Sequence, residues 1–143
     1  MQPAADNTSK NSFKKRDRLK SSLEIDALYH ENKFIVSYPL KCYYSFSTYS
    51  ENKSAIRAAF SVPKKTFKHA VDRNTVKRRM RESYRLNYKK ILETFVNQKD
   101  KQLKFFFIYI GKEILDYVEI EKNMSSVLGK VLTATSAQSI LLR

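Results

Sequence analysis

The residues best suited to chemistry are bases gathered in one block of the chain. Residues 64–90 hold eleven Lys and Arg against two Asp and Glu, a net +9 within a total of +14 for the 143 residues. Surfaces that serve solubility alone normally mix charges of both signs. A polyanion is the natural partner of such a block, because each phosphate neutralised by Lys or Arg releases condensed counterions. The charge distribution therefore predicts that the partner is nucleic acid.

Most of these bases fall on one side of a helix that the periodicity predicts over about 73–97. At about 100° per residue, an apolar stripe faces the protein interior. Its members are Val76, Met80, Tyr84, Tyr88, Ile91 and Phe95. The neighbouring arc contains Asn74, Lys77, Arg78, Arg81 and Arg85. Like charges at i,i+4 spacing repel by a few tenths of a kcal/mol per pair. Binding to an anionic partner explains this cluster of like charges better than a role in folding does.

The residues that a protein nuclease would need are missing. Such a site requires carboxylates gathered around Mg²⁺ or paired histidines, whereas His30 and His69 stand alone. Cys42 alternates inward on a predicted strand, so we expect a small buried side chain and not a nucleophile. Two glycines cannot build a phosphate-cradling loop. We therefore expect no catalytic residue, no metal ligand, no cofactor on the polypeptide alone and no small-molecule substrate.

The elements that position the bases follow from local patterns. Ser21 or Ser22 can cap a short helix over about 22–31. Alternation in YPLKCYYSFSTY and in SAIRAAFSV predicts two strands paired antiparallel, with a turn at Glu51–Asn52–Lys53. Residues 63–75 form a basic connection that has room for a third short strand. KQLKFFFIYI is apolar throughout and predicts a central strand buried on both faces.

Together these elements predict one small α+β domain with about four strands and three helices, in the order α-β-β-β-α-β-α. Asp116 and Glu119 mark the start of the last helix. Val118, Met124, Val127, Leu128 and Val131 continue it at helical spacing to about residue 133. We assign residues 1–12 to a disordered polar tail, 13–133 to the domain and 134–143 to a C-terminal tail.

Composition also limits where the protein acts. A single cysteine excludes an internal disulfide framework and fits a reducing compartment. The longest apolar runs are far shorter than the roughly 18 residues needed to cross a bilayer. The polar N-terminus has no apolar stretch typical of a signal peptide. These features predict a cytoplasmic protein without a membrane partner.

The basic block also resembles a known family, the protein subunit of bacterial ribonuclease P. That family joins a strand ending in S-V-x-K-K to A-V-x-R-N-R and then to x-K-R-x-x-R-E-x-F/Y-R. The matching residues here are Ser61, Val62, Lys64, Lys65, Ala70, Val71, Arg73, Asn74, Lys77, Arg78, Arg81, Glu82, Tyr84 and Arg85. A similar N-terminal pattern is carried by Phe13, Lys15, Arg18, Leu19 and Lys20. Thr75 stands where the family has its second arginine, so this chain lacks that cation.

The resemblance implies an accessory subunit of an endoribonuclease that removes the 5′ leader from precursor tRNA. In that family the catalytic centre lies in the RNA subunit, and Mg²⁺ is expected in the holoenzyme mainly through RNA. The implied partners are the catalytic RNA and precursor tRNA. The protein binds both the catalytic RNA and the leader, which broadens the range of substrates.

Two RNA-binding sets follow from the residues and the resemblance. The set for the RNA subunit is Lys64, Lys65, Lys68, Arg73, Asn74, Lys77, Arg78, Arg81 and Arg85. The set for the leader is Phe13, Lys15, Arg18, Ile25, Tyr29, Lys41, Tyr43 and Arg57. Single-stranded RNA is held by stacking on aromatic rings together with cations near its phosphates. Tyr43 fits either stacking or ordinary half-exposure, and Asn74 fits either a helix cap or a first-turn position.

Two other functions remain open at this point. A structural RNA-binding protein of the ribosomal type would carry the same basic block without leader recognition. A DNA-binding module would place the basic helix in a major groove. The RNA or DNA that copurifies with the protein would distinguish these from a ribonuclease P subunit.

Overall fold

The structure is a computed structural model that describes residues 14–48, 55–95 and 101–141. It opens with a single 3-10 turn at Lys15–Asp17. The other elements follow in chain order: α1 Ser22–Glu31, β1 Phe34–Ser37, β2 Leu40–Thr48, β3 Ile56–Ser61, α2 Ala70–Phe95, β4 Lys101–Tyr109 and α3 Tyr117–Leu141. This order confirms the predicted fold class. The tail at 1–12, Phe13 and the turn at Glu51–Asn52–Lys53 lie outside the described residues.

The four strands form one mixed sheet in the order β1-β2-β4-β3. β2 pairs antiparallel with both β1 and β4, while β3 pairs parallel with β4. The prediction that β2 and β3 pair with each other is therefore wrong. β4 is apolar on both faces and lies between β2 and β3. The long helix α2 provides the crossover that connects the parallel strands β3 and β4.

The third predicted strand was also misplaced. Residues 62–69 contain turns and no strand, whereas β1, which the sequence analysis missed, lies before β2. β1 has only four residues, and its two outward side chains are a Phe and a Val, so no polar alternation marks it. Short edge strands of this kind carry little local signal.

One face of the sheet carries the main core, which α2 and α3 cover. Val76, Met80, Tyr84 and Ile91 of the predicted stripe are buried there, and the half-buried Tyr88 packs against them. The side chain of Phe95 lies outside the described residues. Cys42 is fully buried in the same core, and burial raises the pKa of its thiol, so the expected inert role agrees with its surroundings.

The last helix starts where it was predicted to start but extends beyond its predicted end. Asp116 accepts a hydrogen bond from the Glu119 amide at 3.0 Å, which confirms the predicted start. Val118 nevertheless lies exposed in the first turn and does not join the core. The helix continues to Leu141, so residues 134–141 are helical where we predicted a tail. Buried Thr135 shows that packing extends past the predicted end.

Among the described residues, α1 and the segment before it cover the opposite face of the sheet. Leu19, Leu28, Tyr43 and Phe106 form a small second cluster there. The Ser21 hydroxyl accepts a hydrogen bond from the Glu24 amide at 3.3 Å and caps α1. The helix ends where Asn32 adopts a left-handed conformation, with φ of 57°. α1 is only ten residues long, and within the described residues Phe34 and Val36 of β1 remain exposed beside it.

Candidate RNA-binding surfaces

The predicted cationic arc on α2 forms an exposed ridge. Val76, Met80 and Tyr84 point into the core, so the neighbouring positions face outward. We define the α2 ridge as Lys77, Arg78, Arg81 and Arg85. Arg78 and Arg81 are exposed, while Lys77 and Arg85 are half-buried. Lys64, Lys65 and Lys68, which belong to the predicted set for the RNA subunit, are exposed in the loop that leads into α2.

At the start of α2, Arg73 and Thr75 have structural partners, and Asn74 lies at a position other than the predicted one. Because the helix begins at Ala70, Asn74 is its fifth residue, and both predicted placements, cap and first turn, are wrong. The Arg73 guanidinium donates to the carbonyls of Phe67 at 2.7 Å and Lys68 at 2.8 Å, so it fixes the preceding loop. The Thr75 hydroxyl donates to the Val71 carbonyl at 3.0 Å. Thr75 therefore bonds to its own helix, where the family carries a long cation.

Arg85 differs from Arg78 and Arg81 because it forms an ion pair. Its Nε lies 3.1 Å from Oε2 of Glu82, one helical turn away. The hydrogen bond from Arg85 lowers the pKa of the exposed Glu82 carboxyl. Within the described part of the chain, Arg78 and Arg81 form no ion pair. These two arginines are therefore the ridge cations most available to RNA.

Aromatic residues and one lysine form a partly open shelf beside α1. Register brings Phe34 of β1 next to Tyr43 of β2, and Tyr29 of α1 lies over Tyr43, with ring centroids 4.7 Å apart. The Lys41 ammonium is 4.3 Å from the Phe34 ring centroid and 5.0 Å from that of Tyr43. We define the shelf as Tyr29, Phe34, Lys41 and Tyr43.

Exposure divides the shelf into two rings that are partly open to solvent and one buried ring that supports them. Tyr29 is 43% exposed and Phe34 is 42% exposed, whereas Tyr43 is only 7% exposed. Neither predicted alternative for Tyr43, stacking or half-exposure, fits a ring that lies beneath Tyr29 in the second cluster. Ile25 is half-buried against the same cluster, so it supports the shelf from below. Desolvation by burial raises the pKa of Tyr29, which keeps its phenol neutral.

Arg57 is not the surface cation that strand alternation predicted. It is 6% exposed, and its guanidinium donates to both carboxylate oxygens of Glu24, at 3.1 and 2.6 Å. The Lys104 ammonium lies 3.0 Å from the same carboxylate. We call Glu24, Arg57 and Lys104 the clamp, because together they hold α1 on the sheet. Arg57 therefore faces the underside of α1 and does not face open solvent.

The remaining predicted leader residues lie before α1. Lys15 is exposed on the 3-10 turn. Arg18 is also exposed, but it lies at the outer edge of β3, where it forms a bridge with Ala58. The structure thus brings Tyr29, Lys41 and Tyr43 together and places Arg18 elsewhere. Phe13 lies outside the described residues.

Sequence reasoning missed Phe34 and Lys104. Phe34 belongs to the unpredicted strand β1, and pattern alone gave no reason to place it beside Tyr43. Lys104 sits in an apolar run, and its position opposite Arg57 depends on the parallel pairing of β3 with β4. A correct strand order would have revealed both residues.

The described residues fit neither a metal site nor a membrane segment. Among them, no group of three or more His, Cys, Asp or Glu side chains could hold a metal ion. No helix in this part of the chain is long and apolar enough to span a bilayer. Since residues 14–48, 55–95 and 101–141 contain no such group, we derive no step through a protein-bound metal.

A basic ridge on a long helix and an aromatic shelf on an α+β sheet define a class: small proteins that bind RNA. Comparison with known proteins gives the family. The family model for Ribonuclease P matches residues 13–132. The chain therefore belongs to the ribonuclease P protein family, whose members serve as the protein component of a tRNA-processing endoribonuclease.

Individual relatives agree with this assignment. The chain is 35% identical over 118 residues to the ribonuclease P protein component of Porphyromonas gingivalis, covering 82% of this chain and 84% of that protein. It is 37% identical over 109 residues to that of Chlorobium phaeobacteroides, covering 71% and 73%. The fold resembles that of the Staphylococcus aureus RNase P protein, with a TM-score of 0.55 at 19% identity, covering 80% of this chain and 94% of that one.

Proposed function

We propose that this protein binds the catalytic RNA of ribonuclease P through the α2 ridge and the leader of precursor tRNA through the shelf. Cleavage takes place in the RNA, which also holds the Mg²⁺, and the protein acts in a bacterial cytoplasm. The observation that carries the proposal is the separation of two chemically different surfaces, one cationic and one aromatic, on a single fold. The family match favours this function over the ribosomal and DNA-binding alternatives.

The ridge suits a folded RNA better than a particular sequence. Its groups are guanidinium and ammonium ions, which contact phosphates, and phosphate contacts fix position without reading bases. Arg78 and Arg81 are exposed on a helix whose opposite side is locked into the core. The backbone positions that carry them are therefore fixed before RNA binds, which lowers the ordering cost of binding.

The shelf suits a single strand. Tyr29 and Phe34 each offer part of an aromatic ring on which a base can stack. Lys41 lies over the neighbouring rings, where its ammonium can approach a phosphate of the same strand. Any base can stack on such a ring, which agrees with the varied leaders that one enzyme must accept.

Reconstitution tests the proposed function. The protein is combined with a bacterial catalytic RNA, and precursor-tRNA cleavage is measured at a Mg²⁺ concentration too low for the RNA alone. We expect cleavage at the mature 5′ end only when both components are present. Cleavage that stays at the level of the RNA alone would rule the function out.

Replacing Tyr29 by leucine tests the shelf. Leucine retains an apolar contact with Tyr43 but cannot stack on a base, and stacking contributes about 1–3 kcal/mol per base. We expect Tyr29→Leu holoenzyme to bind precursor tRNA about tenfold more weakly and mature tRNA unchanged. Equilibrium binding of the two tRNAs measures the ratio. Leu23→Ala on the same helix is the matched control, because Leu23 is 79% exposed; equal losses for both tRNAs would contradict the leader assignment.

A further inference from the structure

One acidic residue lies among the cations of the α2 ridge. Residues 64–90 contain two acids, Asp72 and Glu82. Asp72 is in the first turn of α2, where a negative charge stabilises the N-terminus of a helix. Glu82 lies in the middle of the helix, one turn from both Arg78 and Arg85, so the helix dipole gives it no such role.

Glu82 holds the Arg85 guanidinium in one orientation. Arg85 donates from Nε to Oε2 of Glu82 at 3.1 Å and from Nη2 to Oε1 at 2.5 Å. A guanidinium has five N–H groups, so three remain, and Nη1 has no hydrogen-bond partner within the described residues. Arg85 can therefore still bind a phosphate, but only on the side of the guanidinium that is turned away from Glu82.

A tyrosine of α3 flanks the ion pair between Glu82 and Arg85. Desolvation by burial raises the pKa of the Tyr117 phenol, the Glu121 and Glu82 carboxylates raise it further, and Arg85 lowers it. The Tyr117 hydroxyl is buried and has no hydrogen-bond partner among the residues that the structure describes. RNA therefore approaches the pair from the solvent side, since α3 lies on the other.

The Glu82 charge opposes the binding of any RNA. Its side chain is 47% exposed, and the hydrogen bond from Arg85 lowers the pKa of its carboxyl, so an approaching RNA meets a fixed negative charge. Carboxylate and phosphate repel each other. Exposed ion pairs contribute little to the stability of a folded protein. Folding therefore does not explain why an acid lies on this ridge.

We propose that Glu82 is a specificity-determining residue of the α2 ridge. It neutralises Arg85 toward phosphates that approach in other orientations and leaves Arg85 available to a phosphate that lies against the outer side of the guanidinium. Specificity often depends on a repulsive element of this kind. The inference rests on the proposed function and deepens it, because it adds to the ridge a group that disfavours RNAs of the wrong shape.

Replacing Glu82 by glutamine tests the proposal, because glutamine has nearly the same size and no charge. Affinities for the catalytic RNA and for an unrelated transcript of equal length are measured at several salt concentrations. We expect Glu82→Gln to bind the unrelated transcript about tenfold more tightly and the catalytic RNA within about twofold of the wild type. For the unrelated transcript, the slope of log affinity against log salt should steepen by about 0.9, since one more cation becomes available to phosphate.

Two further variants separate this role from a general effect of charge. Glu93→Gln removes another exposed acid from α2 and changes the net charge equally, so we expect it to alter both affinities by the same factor. Glu82→Asp keeps the negative charge and should keep most of the preference for the catalytic RNA. Unchanged melting temperatures show that the variants fold. If Glu82→Gln also alters both affinities by the same factor, the proposal is overturned.

That result differs from failure of the proposed function. If the wild type prefers the catalytic RNA and Glu82→Gln retains the full preference, only the role of Glu82 is wrong. If the wild type itself shows no preference between the two RNAs, the proposed function fails.

Discussion

Replacing Arg78 and Arg81 together by alanine is expected to weaken catalytic-RNA binding by about 100-fold. Hydrogen bonds to charged groups contribute about 1.5–3 kcal/mol each, so the loss of two contacts corresponds to at least about 3 kcal/mol. The slope of log affinity against log salt should become shallower by about 1.8, since each phosphate contact contributes about 0.9. Titrations of labelled catalytic RNA at several salt concentrations measure both quantities.

The folded protein should tolerate this change. Arg78 and Arg81 are exposed, and surface substitutions of this kind usually alter the free energy of unfolding by less than about 0.5 kcal/mol. Lys122→Ala with Lys130→Ala removes two exposed cations from α3 and is the matched control. We expect the control pair to leave the salt slope nearly unchanged. A salt slope that stays the same in the Arg78 and Arg81 variant would contradict the ridge assignment.

Replacing Glu24 by alanine is expected to destabilise the protein by about 3 kcal/mol. The change leaves the Arg57 guanidinium without the carboxylate that accepts two of its hydrogen bonds. Its Nε is already buried with no hydrogen-bond partner among the residues that the structure describes. Removing one member of a buried ion pair typically costs about 3–5 kcal/mol, because the other charge stays buried and uncompensated. The Lys104 ammonium loses its carboxylate as well. Urea unfolding measures the loss.

A second substitution separates the cost of the uncompensated Arg57 charge from the cost of the lost contact with Glu24. With Arg57→Met added to Glu24→Ala, the buried guanidinium is gone, and apolar replacements of a buried pair are often neutral. We expect the double variant to regain most of the stability. If Glu24→Ala alone costs less than about 1 kcal/mol, the clamp does not hold α1. Because α1 carries Tyr29, the single variant should also reduce the preference for precursor over mature tRNA.

The clamp shows why part of the surface could not be predicted from the sequence. Strand alternation correctly placed Arg57 away from the main core, yet it could not reveal that Glu24, 33 positions earlier, covers it. Tyr43 was misjudged for the same reason, because Tyr29 lies over it from another element. Local periodicity states which face a residue occupies. It does not state what packs on that face.

The long helix was predictable because its signal is local. Val76, Met80 and Tyr84 repeat at helical spacing, and this spacing alone defines the buried stripe and the exposed cationic side. Strand pairing is not local. The central position of β4 followed from its apolar run, but the order β1-β2-β4-β3 depends on contacts between distant segments.

The most direct test of the central claim is a competition titration. Labelled bacterial ribonuclease P RNA is bound to the protein at a fixed salt concentration and displaced either by the same RNA or by an unrelated transcript of equal length. The account predicts that the ribonuclease P RNA competes at much lower concentration, because the spacing of cations on α2 suits one folded RNA backbone. Equal competition by the two transcripts would show that the protein binds RNA by charge alone and would contradict the account.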